Sequence, residues 1–369
     1  NEVEKIMAYR KMNYEKLREL SKLVFMKYGY SEEDAETITD VLLKADLMGI
    51  ESHGVQRMTL YPFGISIGRI KVDAKPEIVR ETPLSAVIDA HDGMGQIAGV
   101  KAMKLAIEKA KQHGMGFTVV RNSNHYGIAG YYSLMAAEEG LVGMSMTNTQ
   151  ALVVPTFGQK PILGTNPIAF TVPAKPYPFH LDMSTSVVTA GKMEVYAKNK
   201  KPCPEGWLVD ENGAVNTDAG VFVANRGTGR GGLLPIGGAG ELHSGHKGYG
   251  MSMLVEIMTG IFAGGVTSSG VRVVKEKELC CHMFWAIDPA MFNEDKEEIF
   301  KHLSEFLQMI RDSDKAEGHD RIYTHGEKEF ENMEKVKKEG VSVNDATYDE
   351  IRKLSEKLGI CAADYLVEV

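Results

Sequence analysis

The sequence predicts an α/β fold preceded by a small helical unit, and three observations carry that expectation. Two amphipathic segments with helix-capping signals fill residues 14–49. From about Pro76 onward, short apolar runs alternate with helical ones, the pattern of strands joined by helices. Glycine accounts for 38 of 369 residues, above its usual ~7% share, as a fold with many tight turns requires.

Taken in order, YEKLRELSKLVFMKYG predicts a first helix ended by Gly29. SEEDAETITDVLLKADLMG predicts a second, opened by Ser31 with Asp34 in a capping-box-like arrangement. The apolar spacing of ESHGVQRMTLYPFGISIG suggests a third helix after Gly54, completing a helical unit over residues 1–75. An α/β core is expected over 76–325: the strand PLSAVIDA, the helix VKAMKLAIEKAKQHG, a strand Phe117–Val120, a turn Arg121–Gly127, the helix YYSLMAAEEG and the strand LVGMSMTNT. Residues 150–230 are rich in loops and strands, with a hairpin signal at Asn212-Gly213. GYGMSMLVEIMTGIFAG then reads as a helix and HMFWAIDP as a strand. Residues 326–369 read as C-terminal helices packing back on the core.

Composition narrows the function classes. Hydrophobic and charged fractions of 43% and 25% are those of a globular protein, and a net charge of −8 argues against nucleic acid or an anionic membrane as the main partner. Cys203, Cys280, Cys281 and Cys361 form neither a C-x-x-C pair nor a disulfide framework. NEVEKIMAYRK lacks an apolar signal core, and the apolar stretch Met251 to Ala263 is short and broken by Glu256. A soluble, cytoplasmic protein is expected.

GMGQIA, between a strand and a helix, fits the G-x-G-x-x-A dinucleotide pattern. A Rossmann unit then needs an acidic residue at the end of its second strand to hold ribose hydroxyls. Here FTVV runs into Arg121-Asn122-Ser123-Asn124-His125, so the fingerprint fails. GTGRGG, residues 227–232, has no strand before it and reads as turn chemistry.

Other stretches carry chemistry better. His125 lies just past a strand's carboxyl end, where open α/β sheets bind ligands. In ESHGVQR, Ser52, His53 and Arg57 put a proton carrier four residues from a guanidinium, a pairing suited to a small acid with an ionisable hydroxyl. The bland alternative is a helix start capped by Ser52. LDMSTS ends a strand with Asp182, able to orient a histidine or to cap a following helix. In HSGHKGYG, helix-start N–H groups, glycines and Lys247 suit a diphosphate. The turn Gly164-Thr165-Asn166-Pro167 can offer backbone groups to a flat carboxamide. His243 and His246 lack the glutamate of H-E-x-x-H, so no metal site is assigned.

As an ordered set, ESHGVQR, SNHYG, LGTNPIAF, LDMSTS and HKGYGMSMLVE resemble the type 2 malate/L-lactate dehydrogenase family over about Leu17 to Leu358. That resemblance implies a non-Rossmann, mixed-sheet, three-layer fold of the sulfolactate dehydrogenase kind with a helical N-terminal unit. It also implies NAD as cofactor, with NADP an alternative, and a homodimer. The implied activity interconverts a small 2-hydroxy acid and its 2-oxo acid, malate first, with lactate, sulfolactate or ureidoglycolate open. By motif, His125 and His53 would flank the reacting carbon, one of them exchanging the hydroxyl proton, and Arg57 would hold the carboxylate. Asp182, Met183, Ser184, Asn148 and the Gly164, Thr165, Asn166 turn would line the cofactor cleft. Lys247 and His246 would hold the diphosphate, and a late loop, Gly326-Glu327-Lys328, matches a family segment before a helix and would bring Gly326 and Glu327 to the cofactor. A cation for a distal carboxylate is expected, and Arg121, nearby in sequence, carries no assigned role. The rival from another class is a metal-dependent hydrolase built on the same histidines and Asp182.

Overall fold

The computed structural model describes residues 9–271 and 279–369, so the first eight residues of the NEVEKIMAYRK reading lie outside the described residues. The chain opens with β1 (Tyr9–Met12), α1 (Tyr14–Lys27), α2 (Glu32–Leu47) and α3 (Leu60–Ser66). There follow β2 (Glu77–Glu81), β3 (Ser85–Asp89), α4 (Gly95–His113), β4 (Met115–Ser123), α5 (Ala129–Glu138), β5 (Val142–Thr147), β6 (Ile168–Val172) and β7 (Phe179–Met183). A small lobe holds α6 (Ala190–Lys198), β8 (Leu208–Val209), β9 (Val215–Asn216), α7 (Ala219–Asn225) and β10 (Gly232–Leu233). The chain closes with α8 (Gly245–Glu256), β11 (Cys280–Ile287), α9 (Lys296–Asp312), α10 (Glu327–Glu339), β12 (Val341–Asn344) and α11 (Asp345–Lys357).

The main sheet has seven strands in the order β2-β3-β4-β11-β5-β6-β7. Only β3 and β4, joined through α4, pair in parallel; the other pairings are antiparallel. The strand-helix progression read from the sequence is present, but β4 and β5 are not neighbours. β11 is inserted between them, antiparallel to both. Its sequence, CCHMFWAI, is apolar at nearly every position because both faces are covered. Helix α4 lies on the sheet through Ala98, Ala102, Ala106 and Ala110, one small residue per turn. The approach is close enough that a Cβ on Gly116 of β4 would stand 2.0 Å from the Ala106 carbonyl oxygen, which makes glycine obligatory there.

A second core joins the chain's two ends. Leu17, Leu20, Val24 and Leu42 of the first helices pack with Val343, Ile351 and Leu366, and β1 pairs with β12. Each such buried side chain contributes roughly 1.5–3 kcal/mol. The strands β1, β2 and β12 were not legible in the sequence, because each is short and β2 is exposed along its whole length.

Two expected boundaries move. Instead of one helix after Gly54 there are two 3-10 turns, Glu51–His53 and Val55–Met58, before α3. The cause is tertiary: the buried Asp46 carboxylate accepts from the Val55 N–H at 2.8 Å and lies directly under Gly54, where a Cβ would come within 1.9 Å of it. The other shift is in β4, which continues past Val120 to Ser123, because Ala90 N–H bonds Arg121 O and Asp92 N–H bonds Asn122 O, extending the ladder.

Candidate active site

His125 sits two residues beyond β4, at the sheet's carboxyl edge. Its Nδ1 lies 2.8 Å from the hydroxyl of Tyr61 on α3 and accepts from the Gly127 N–H at 3.3 Å. A backbone N–H can only donate, so the neutral ring carries its proton on Nε2. The His53 ring stacks on that of His125 with centroids 5.3 Å apart and planes at 27°. The two histidines singled out from sequence, 72 residues apart, therefore form one pair. Burial, with the positive Arg57 adding to it, pushes the His53 imidazole down to about 4, so it is neutral across the physiological range.

Ser52 does not cap a helix; its hydroxyl bonds His53 Nδ1 at 2.8 Å. Arg57, one turn on, donates from Nε to the Ser52 carbonyl at 2.8 Å. No carboxylate among the described residues pairs with it. Its planar fork is therefore available to an external acid. Arg121, by contrast, is engaged by Asp89 at 3.0 Å.

Asp182 ends β7 and accepts from the Gly130 N–H at 2.7 Å, so it caps α5 from another strand rather than the helix that follows it. Burial pushes its carboxyl up to about 6, with the Gly130 bond opposing and Glu329 reinforcing. It lines a cavity of about 240 Å³ with Ile50, His180, Tyr323, Gly326 and Glu329. Ile50, on its wall, directly precedes the Glu51–His53 turn. Gly326, at φ +97, also lines it, as does Lys328. Glu327 does not: its carboxylate is buried among Arg311, Arg321 and the Thr324 N–H. The carboxylate this loop gives to the cavity is Glu329.

Backbone hydrogen bonds connect the remaining expected cofactor residues into one wall. Thr185 N–H bonds Thr165 O at 2.8 Å, and Ile236 N–H bonds Thr185 O at 2.9 Å. The segment Asp182–Ser186 is thus held between the Gly164–Asn166 turn and the glycine turn that leads to α8. Within the wall Met183 pairs across the sheet with Ile168, and the Ser184 hydroxyl donates to Ser186 O. Asn148 and Asn166 act inside it as braces. The Asn148 amide donates to Val266 O and accepts from Cys281 N–H; that of Asn166 reaches Ser252 and Glu256 and accepts from Ser268. Both asparagines are fully buried. What their turns can offer a ligand is backbone, not amide side chain.

Helix α8 opens at Ser244, held at φ +67 with no side-chain cap. A Cβ on Gly245 or Gly248 would fall about 2 Å from the carbonyls of Gly238 or Ile236, so part of the glycine pattern is helix packing. His246 and Lys247 are nonetheless exposed on the uncapped first turn. Uncapped N–H groups beside a lysine suit a dinucleotide's diphosphate. Among the described residues no three His, Cys, Asp or Glu side chains converge as they would around a metal ion, and no helix is long and apolar enough to cross a membrane.

Tyr61, His180, Glu329 and His282 belong to this neighbourhood and were not singled out from sequence. Tyr61 falls four residues after Arg57, the one spacing that hinted at it; the others lie in apolar strands or a charged helix.

A mixed, non-Rossmann sheet that presents paired histidines beside an unneutralised arginine defines a 2-hydroxy-acid dehydrogenase, a class that works with a nicotinamide cofactor. The chain belongs to the malate/L-lactate dehydrogenase family, whose model matches residues 12–352. It is 48% identical to a malate dehydrogenase of Pyrococcus abyssi over 91% of this chain and 92% of that one. It is 37% identical to the L-sulfolactate dehydrogenase of Methanocaldococcus jannaschii over 93% and 96%. The crystal structure of malate dehydrogenase from Entamoeba histolytica superimposes with a TM-score of 0.92 at 39% identity, covering 96% of this chain and 99% of that one.

Proposed function

We propose that this protein interconverts (S)-malate and oxaloacetate with NAD, and that the stacked His53–His125 pair beside Arg57 carries the chemistry. Malate rests on the 48% identity to a malate dehydrogenase. The alternatives are L-lactate, sulfolactate and ureidoglycolate as substrates and NADP as cofactor.

Arg57 clamps the carboxylate next to the reacting carbon through two parallel N–H bonds. His125 holds a proton on Nε2 and gives it to the oxygen of the 2-oxo acid. As it does so, the Tyr61 hydroxyl is placed to pass its own proton to Nδ1, and the phenolate left behind takes from solvent the one proton that the reduction consumes. In the oxidative direction both protons return. Neutral His53 packs on the His125 ring and adds no charge to the pair. When bound, the nicotinamide supplies or accepts the hydride. Lys247, His246 and the first turn of α8 would hold its diphosphate, and Asp182–Ser184 with the Gly164–Asn166 turn would line the remainder.

A homodimer is part of this reading. Met253, Leu254, Ile257, Ile261 and Phe262 expose an apolar strip continuing from α8, the kind of surface that a second copy covers in a symmetric dimer. The cytoplasm suits four cysteines that are all free thiols.

The test is to incubate chelator-treated protein with NADH or NADPH and oxaloacetate, pyruvate, sulfopyruvate or a cyclic imine. Fastest turnover of oxaloacetate with NADH is expected. Preference for another acid would replace the substrate, and activity restored only by added metal on hydrolase substrates would overturn the class.

A further inference from the structure

One buried histidine of the sheet has no part in the chemistry above. His282, on the inserted strand β11, is fully buried, with Nε2 2.8 Å from Ser123 Oγ at the end of β4 and Nδ1 2.7 Å from Thr147 Oγ1 at the end of β5. The Thr147 hydroxyl also donates to the carbonyls of Asn148 and Cys281, and the Ser123 hydroxyl to that of Asn124 at 3.4 Å, so both partners of the ring are themselves tied to backbone. Burial pushes the ring down to about 3, with the Asn124 backbone opposing, so it is neutral.

The face of His282 lies on Tyr126, with centroids 4.4 Å apart and planes at 8°. Tyr126 stacks in turn on Tyr132 at 4.7 Å, its hydroxyl meets Ser145 Oγ at 3.0 Å, and its carbonyl accepts from the Tyr132 hydroxyl. His282 thus grips Ser123 and Tyr126, the residues on either side of Asn124-His125, and with its other nitrogen the strand end that leads into Asn148. A Rossmann sheet would set β4 and β5 side by side; here β11 parts them, and His282 ties their ends together again.

We infer that His282 is a positioning residue, which fixes the backbone around His125 and holds that turn in register with the Thr147–Asn148 end of the cofactor wall. This rests on the reading that His125 exchanges the substrate proton.

The test compares His282→Phe, which keeps a ring against Tyr126 and loses both hydrogen bonds, with His282→Gln, which offers one donor and one acceptor. Histidine-ring NMR, with the His125 signals assigned by their loss in His125→Ala, reports the His125 tautomer independently of turnover. In His282→Phe, kcat should fall on the order of 10- to 100-fold, KM for NADH should stay unchanged, and the His125 signals should move from a single Nε2–H tautomer to a mixture. His282→Gln should restore most of both. If His282→Phe matches the wild type in kcat and in the His125 signals, the inference is wrong. Where His282→Phe does not fold, Ser123→Ala carries the same test, and unchanged His125 signals and kcat there would equally overturn it. Turnover retained by His125→Ala would remove the proton role alone, while the ring signals would still decide the positioning role.

Discussion

Tyr61 reaches from the helical N-terminal unit to set its hydroxyl 2.8 Å from Nδ1 of His125, which stands at the edge of the sheet. Two regions that look independent in sequence are thereby joined by one hydrogen bond. Tyr61→Phe keeps the buried ring and deletes the hydroxyl. We expect kcat to fall on the order of tenfold or more with KM for NADH unchanged. Steady-state kinetics check this, and an unaltered kcat would leave Tyr61 a packing residue.

Gly54 is where the sequence and the structure part most clearly. The 3.6-residue spacing of ESHGVQRMTLYPF is helical, yet Asp46, in the preceding helix, takes the Val55 N–H and splits the segment into two turns. Gly54→Ala would drive a Cβ into that carboxylate, at a cost of roughly 1–3 kcal/mol. Thermal denaturation should give a lower Tm together with reduced turnover, since His53 and Arg57 flank the strained point. A variant with wild-type Tm would show that the turn relaxes freely.

Arg57 has no acidic partner among the described residues, so its charge is free for substrate. Arg57→Lys keeps the charge but loses the two-pronged bond. KM for the 2-oxo acid should rise on the order of 10-fold or more, with KM for NADH little changed. Initial-rate kinetics with both substrates varied would reveal an effect on the cofactor instead, which would move Arg57 out of the carboxylate site.

Asp182 is a carboxyl whose folded pKa, about 6, lies above its ordinary value of 3.8. Between these two values the folded chain keeps a proton that the unfolded chain has released, so this group's contribution to stability falls as pH rises through the window. Asp182→Asn keeps an acceptor for the Gly130 N–H and cannot ionise. Its Tm relative to wild type should therefore increase between about pH 4 and about pH 7. Calorimetry of the cofactor-free protein checks this, and a pH-independent difference would contradict the raised value.

Much of the site was legible because its residues sit on short local signals. His125 after a strand, His53 and Arg57 four residues apart, and the glycines before Lys247 each announce themselves within a few residues. Parts that depend on distant contacts were not. Nothing near HMFWAIDP says that this strand enters between β4 and β5, since an apolar run does not encode its neighbours. Glu327 reads as a ligand group in sequence, and only the fold brings Arg311 and Arg321 around it. The amides of Asn148 and Asn166, expected at a cofactor site, are spent on the protein's own backbone and side chains.

The most direct measurement follows deuterium from C4 of labelled NADH into the product formed from oxaloacetate by the wild type and by His125→Ala. The account predicts deuterium at C2 of (S)-malate with the wild type. It also predicts little or no labelled product from His125→Ala, although that variant still binds NADH. Label transferred at the wild-type rate by His125→Ala would contradict the proton role of His125, and no transfer by the wild type to any 2-oxo acid would contradict the function itself.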